Sequence, residues 1–468
     1  MMWKFSEYKD SIAAIDDNGQ TLTYAELEHF STELAGMCKR TLVFNVCQNS
    51  IGSLAGYASM INSGIVPVMI AEDLDEELFI SLLETYKPEY IWLPCCSEKD
   101  IVEGDTICQR FGYKFIRTLF EEKTQMNDEL ALLLTTSGST GSPKLVRQSY
   151  ENIKANTESI VEYLELNETE RPITTLPMNY TYGLSIINTH LYVGATILLT
   201  DKTLMQKEFW QFLKNESATS FGGVPYTYEI LKKLRFFRMD LPSLRYMTQA
   251  GGKLTPELHR EFAEYAEASG RKFIVMYGQT EATARMAYLP AEKALEKYGS
   301  MGIAIPGGKF TLIDVDGNEI TESDVVGELV YEGKNVTLGY AENREDLKKP
   351  DERQGKLVTG DMAKRDEDGY FYIVGRKKRF LKMFGKRVNM DEIDRLMKMR
   401  FDGVDCASAG VDDKMYLFVT DASIVEEVRS YISEKIHINV SGIVAKYVEE
   451  IPKNNAGKTL YVELEKYY

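Results

Sequence analysis

From residue 20 to about residue 300 the chain alternates between short apolar runs and longer segments whose apolar positions recur at helical spacing. The runs include "RTLVFNV" (40–46), "YIWLP" (90–94), "ALLLTT" (131–136), "ATILLT" (195–200) and "KFIVMYG" (272–278). Helix starts are legible between them. Thr23-Tyr24-Ala25-Glu26 fits a capping box, in which Thr23 accepts from the amide of Glu26 and Glu26 reaches back. Thr255-Pro256-Glu257 sets a cap before a proline at the first helical position. Strand–helix alternation of this kind predicts an α/β body with largely parallel sheets. Beyond 300 the pattern changes. "FTLIDVDGNEI", "GELVYEG" and "GYFYIVG" read as strands with Asp-Gly turns, closer to a small antiparallel barrel. After "VGRKKRF" a smaller α+β unit follows, with a helix capped by Asn389, a strand pair around "CASAGVDDKMYLFVT" and a helix from about 424 to 437. The pattern shows neither an internal repeat nor a low-complexity segment.

Composition changes this picture little. With 468 residues, two or three domains are expected. The net charge of −16 leaves no basic excess for a nucleic-acid surface, although a local anion site stays possible. Six cysteines, at 38, 47, 95, 96, 108 and 406, lack metal-ligand or redox spacing, which predicts reduced, buried thiols and a cytoplasmic protein. The start "MMWKFSEYKDS" does not read as a signal peptide, and no apolar window is long enough to span a membrane.

The candidate chemistry begins at "TTSGSTGSPK" (135–144), directly after an apolar strand. Backbone amides of a Gly/Ser/Thr loop can converge on an anion, hydroxyls add donors, and Lys144 adds a compact charge. That suits a phosphate; a plain surface loop is the other reading. It is not a P-loop, because Lys144 is neither preceded by glycine nor followed by Ser/Thr. In "NNAGKT" near the C-terminus, Pro452 stands where the first glycine of such a loop belongs.

Further islands follow in order: "QAGGKL" (249–254), "MYGQTEAT" (276–283), "GSMGIAIPGG" (299–308), "GELVYEGKNVTLGY" (327–340), "LVTGDMAKRDEDGYFYIVGRKKRFLKMFGKRVNMDEID" (357–394) and "PKNNAGK" (452–458). Together they resemble the adenylate-forming (AMP-binding) superfamily of acyl-CoA synthetases, luciferases and nonribosomal-peptide adenylation domains, with the acyl- and aryl-acid CoA ligases nearest. The resemblance runs from "LTYAEL" (22–27) to Lys458. It implies an AMP-binding N-terminal domain over 1–374, with 300–374 its barrel-like part, a hinge at 375–378 and a mobile C-terminal lid domain over 379–468.

The resemblance also implies roles. Thr136, Ser137, Gly138, Ser139, Thr140, Gly141 and Lys144 would hold the β- and γ-phosphates of ATP while a carboxylate attacks the α-phosphorus. Tyr277 and Gly278 would face the adenine on one side and Gly251-Gly252 on the other. Thr280 would donate to the α-phosphate, and Glu281 would ligate Mg²⁺. Asp361 and Arg376 would bind the ribose, and Lys458 would bridge carboxylate and α-phosphate in the transition state. Lys378 would be the pivot, exchanging Lys458 for a face carrying Lys382, Phe384 and Gly385, with Gly385 lining a pantetheine tunnel.

"LPMNYTYGLS" (176–185) departs from the superfamily pattern, since Tyr180 stands in the usual histidine slot. Tyr180, Gly183 and Val224 are candidates for the acid pocket or its gate. Between 176 and 185 there is no Asp to pair with an α-ammonium group, so an acid lacking an α-amino group is favoured. Three readings stay open: a ligase using coenzyme A, a free-standing adenylation enzyme loading the phosphopantetheine of a carrier protein in trans, and a non-catalytic nucleotide-binding relative. No carrier segment is seen after Tyr468, so a carrier is expected to come from another chain.

Overall fold

A computed structural model describes residues 2–99, 101–120, 123–135, 144–384, 386–453 and 459–468; the side chains of 378, 386 and 387 are also outside the description. The chain divides into two compact units, residues 1–309 with 331–357, and residues 310–330 with 358–468.

Among the described residues the first unit holds two large sheets. One has nine strands, and its interior is parallel: Pro172–Ile173, Ile197–Leu199, Ser220–Gly223, Tyr246–Gln249 and Lys272–Tyr277. Both edges turn antiparallel, at Thr21–Thr23 and at Ala287–Tyr288 with Ile303–Ala304. The other has eight strands around a parallel centre of Leu42–Cys47, Val66–Ala71, Tyr90–Pro94 and Leu130–Thr135. Strands such as Leu42–Cys47 are buried along their whole length, which explains why they read as continuous apolar runs rather than alternating ones. The helix Ile51–Asn62 is buried on nearly every side, and it carries small residues where it meets neighbours: a Cβ on Gly56 would lie 2.2 Å from the Trp92 ring.

The helix ends follow the sequence. Thr23 and Glu26 close both bonds of the capping box before the helix Tyr24–Met37. Thr255 accepts from Leu258 N before Pro256–Ala268. In the second unit, a five-stranded sheet over 309–376 precedes the hairpin Phe380–Met383/Lys386–Asn389 and a three-stranded sheet flanked by helices Met390–Arg400 and Val425–Ile436. Its core gathers Met383, Ile393, Met397, Leu417, Val428 and Ile432. Asn389 caps its helix as expected.

The cysteines divide differently from the sequence expectation. Cys38, Cys47 and Cys406 are buried, but the adjacent Cys95 and Cys96 are exposed, because they follow the end of the strand Tyr90–Pro94. All six are free thiols. Burial pushes the Cys38 and Cys47 thiols up to about 12, which makes them unreactive.

Candidate active site

The motif "YGQTEAT" leaves the parallel sheet at the C-terminal end of Lys272–Tyr277, where open α/β sheets present ligand sites. Gly278 is required there, since a Cβ would fall 1.6 Å from the Ala284 carbonyl oxygen. Gln279 Nε2 donates to the Tyr277 hydroxyl at 3.2 Å. A short 3₁₀ turn, Thr280–Ala282, carries Thr280 and Glu281. The next residue, Thr283, has φ 65° and ψ −64°, and Ala284 N donates to Ala282 O at 2.8 Å. This is a γ-turn on a β-branched residue, a conformation that costs about 1–3 kcal/mol. It persists because Thr283 is held at every polar atom on offer: its hydroxyl donates to Asn335 O at 2.7 Å, and its carbonyl accepts from Thr181 and Gln148.

Glu281 is fixed from two directions. Its carbonyl accepts from Thr337 N (3.0 Å) and Thr337 Oγ1 (2.9 Å), and its Oε1 accepts from the Tyr340 hydroxyl at 2.7 Å. The Tyr340 ring lies under the Lys144 ammonium at 3.7 Å from its centroid and is also faced by the Arg353 guanidinium at 4.6 Å. Lys144 reaches Glu342 at 3.6 Å as well. One aromatic ring thus joins the lysine and the carboxylate that the sequence assigned to phosphate and metal. Mg²⁺ takes one or two protein carboxylates and otherwise waters or phosphate oxygens. A single half-buried carboxylate with one oxygen already oriented fits that role. No cluster of three or more metal-ligating side chains exists among the described residues.

Tyr180, Val224, Gly251 and Gly252 come together at the mouth of the helix Thr181–Tyr192. A Cβ on Gly251 would lie 2.6 Å from the Tyr180 hydroxyl and 3.0 Å from Val224, and one on Gly252 would lie 2.9 Å from Pro225. Gly251 also has φ +83°, a conformation other residues rarely adopt. Gly183 lets the helix approach the preceding loop, because a Cβ there would meet Pro177 O at 2.4 Å. Burial pushes the Tyr180 phenol up to about 12, with the Arg285 charge pulling against it. Tyr180 is therefore neutral and cannot replace an imidazole as a base.

In the second unit Asp361 and Arg376 face each other as partners on neighbouring strands, and their side chains pair at 2.9 Å. Lys378 lies in the 3₁₀ turn Lys377–Arg379. Lys382 is exposed on its hairpin, where its N–H donates to Asp412 and its carbonyl accepts from Asp413 N. Thr136, Ser137, Gly138, Ser139, Thr140, Gly141, Gly385 and Lys458 lie outside the described residues.

The sequence reading passed over three residues that the structure brings forward. Tyr340 ends the island "GELVYEGKNVTLGY", none of whose residues was given a role. Thr283 carries no sign of strain in its side chain. Arg285 is a lone charge in the otherwise uncharged stretch "ATARMAYLP", and that was the available signal.

Comparison with known proteins shows the family and the fold. The chain is 30% identical over 356 residues to peroxisomal OPC-8:0-CoA ligase 1 of Arabidopsis thaliana, covering 72% of this chain and 64% of that protein, so it spans a little under two thirds of that relative. The structure of o-succinylbenzoate CoA synthetase from Bacillus subtilis with its acyl-adenylate intermediate superposes with a TM-score of 0.79 at 21% identity, covering 98% of this chain and 96% of that one. The same synthetase with ATP and magnesium ion gives 0.78 at 21% identity, with 98% of each chain covered. The fold is shared with these structures. A profile of AMP-binding enzymes matches residues 2–341, and with most of its length so matched the chain belongs to the AMP-binding enzyme family.

Proposed function

We propose that this protein activates a carboxylic acid lacking an α-amino group with ATP and transfers the acyl group to a thiol, coenzyme A being the preferred acceptor. In the first step a carboxylate oxygen bonds to the α-phosphorus as the bond to the bridging oxygen breaks, releasing pyrophosphate. In the second a thiol sulfur bonds to the acyl carbon, AMP leaves and the thiol proton goes to solvent. The observation that carries the reading is the Lys144–Tyr340–Glu281 contact, which sets a phosphate-binding cation and a metal-binding carboxylate across one ring. Magnesium bound at Glu281 would neutralise charge on the phosphates.

The chain's own residues supply the rest of the proposal. Thr280 donates to the α-phosphate, Gly251, Gly252, Tyr277 and Gly278 enclose the adenine, and Asp361 with Arg376 takes the ribose hydroxyls. Lys458 stabilises the developing charge. Tyr180, Gly183 and Val224 border the acid. Lys378 is the pivot between residues 1–374 and 379–468, and Lys382 and Gly385 serve the thioester step. The buried Arg285 beside Tyr180 and Tyr182 gives further support for an acid without an ammonium group, since two buried positive charges would repel. Transfer to the phosphopantetheine of a carrier protein is the second reading. No described helix is long and apolar enough to cross a membrane, and we place the reaction in the cytoplasm as part of the same proposal.

The test is ATP–pyrophosphate exchange across a panel of acids, followed by coenzyme A against a phosphopantetheinylated carrier as acceptor. Lys458→Ala should lose exchange by roughly 10²–10³ while still forming thioester from supplied acyl-adenylate. Equal loss in both steps would remove Lys458 from its role.

A further inference from the structure

Arg285 is only 2% exposed, and no carboxylate pairs with it among the described residues. The contrast with other buried arginines is direct. Arg147, fully buried, pairs with Glu352 at 2.6 Å and donates to four backbone carbonyls. Arg379 is gripped by Asp391 and Asp394. The buried carboxylate of Glu170 is already committed to Arg245 at 2.9 Å. Among the described residues Arg285 instead meets neutral groups. Nη1 donates to the Tyr163 hydroxyl at 3.3 Å and to the Met276 sulfur, Nη2 donates to Ser185 Oγ at 3.1 Å, and the guanidinium stacks on the Tyr182 ring at 4.3 Å. Its Nε–H is buried and has no partner among the described residues.

These contacts fix the side chain and leave its Nε–H uncommitted among the described residues. Nε and Nη2 form one edge of the guanidinium, the edge that grips a carboxylate or sulfonate with two parallel bonds, and on it only Nη2 has a partner, Ser185 Oγ, among the described residues. Arg285 also lines a narrow cavity between the parallel sheet and the helix Thr181–Tyr192, with Ile186, His190, Gly222, Tyr246 and Thr248 around it. His190 cannot serve as the counter-charge. Burial keeps it neutral at ordinary pH, its Nδ1 engages Ile186 O at 2.8 Å and its Nε2 engages the Tyr246 hydroxyl at 3.3 Å. A buried charge left unpaired is costly, whereas the same charge paired through two hydrogen bonds is among the strongest recognition elements available. The cavity lies next to the acid gate, because Tyr182, on which Arg285 stacks, follows Tyr180 by two residues and its hydroxyl approaches Gly222.

We infer that the acid activated by this protein carries a second anionic group, a carboxylate or sulfonate at the end away from the reacting carboxyl, and that Arg285 is the residue that selects it. The inference rests on the activity proposed above for where the acid lies, but the anion site can be tested without that activity. Matched acids differing only in the distal group serve as probes: butanoate against succinate and 3-sulfopropanoate, and pentanoate against glutarate. Melting temperatures of the protein with AMP and each acid report binding, and ATP–pyrophosphate exchange reports activation.

The expected result is stabilisation by the doubly anionic acids and not by their monoanionic partners, with kcat/KM for exchange favouring them by roughly 10²-fold or more. Arg285→Met should abolish that preference in both measurements, and Arg285→Lys should retain part of it in binding. If Arg285→Met does not fold, the wild-type comparison alone decides. Equal stabilisation by both classes, or stabilisation by none, would overturn the inference. Selective stabilisation without any exchange would uphold the anion site and overturn the proposed activity. Exchange with monoanionic acids alone would uphold the activity and overturn the anion site.

Discussion

Tyr340 links three charged groups without being charged itself. Its ring receives Lys144 and Arg353, and its hydroxyl orients Glu281. Tyr340→Phe keeps the ring and removes only the bond to Oε1. We expect exchange activity to fall roughly 10–100-fold and the magnesium requirement to rise, with the melting temperature nearly unchanged; a magnesium titration of the exchange rate checks this. If the variant matched wild type at every magnesium concentration, Glu281 would not need orienting. At this scale the sequence was legible where a residue type forces its own conclusion. Gly278 cannot tolerate a side chain, and a serine- and glycine-rich loop ending in lysine invites phosphate. Tyr340 and Arg285 were not legible, because what matters in them is the neighbour brought from elsewhere in the chain: residue 281 for one, and residues 163, 182 and 185 for the other.

Elements were legible where local chemistry decides them. The capping box at Thr23 and the cap at Thr255 require only residues three apart, and both form. The buried parallel strands announced themselves as unbroken apolar runs. Sheet order, by contrast, depends on pairings across large sequence separations. Nothing local says that Gly339–Ala341 should pair with Leu145–Ser149, yet that pairing is what delivers Tyr340 beneath Lys144. The proposed pivot also belongs to this scale. Lys378 sits in a single 3₁₀ turn, and the next residue, Arg379, is anchored by Asp391, Asp394, Ser408 O and the Tyr461 ring at 3.6 Å. A turn followed by so firm an anchor confines any swing to the few residues before it. Lys378→Pro fixes φ near −65°, and it should preserve pyrophosphate exchange while sharply reducing thioester formation. Both half-reactions on one folded preparation measure it, and a normal overall rate would move the pivot elsewhere.

For the whole molecule, two buried histidines set a limit in acid. Burial holds both His190 and His259 down to about 4, below their ordinary 6.5; at His190 the Arg285 charge adds to the effect and a backbone hydrogen bond opposes it. His259 accepts a bond from Gly299 N at its Nδ1, which a proton there would forbid. The folded chain therefore binds fewer protons than the unfolded chain between about pH 4 and 6.5. Stability falls as pH drops through that window, by roughly 3 kcal/mol for each histidine. Melting curves from pH 7 to pH 4 should be less steep in pH for His259→Asn than for wild type, and identical slopes would show that His259 does not contribute. The γ-turn at Thr283 has a different consequence at the same scale. It joins Glu281, proposed above for the nucleotide, to Arg285, inferred above for the acid, by a tether too short and too tightly held to stretch. On the proposed function and the inferred anion site, the protein would act as a gauge, admitting acids by the distance between their two ends.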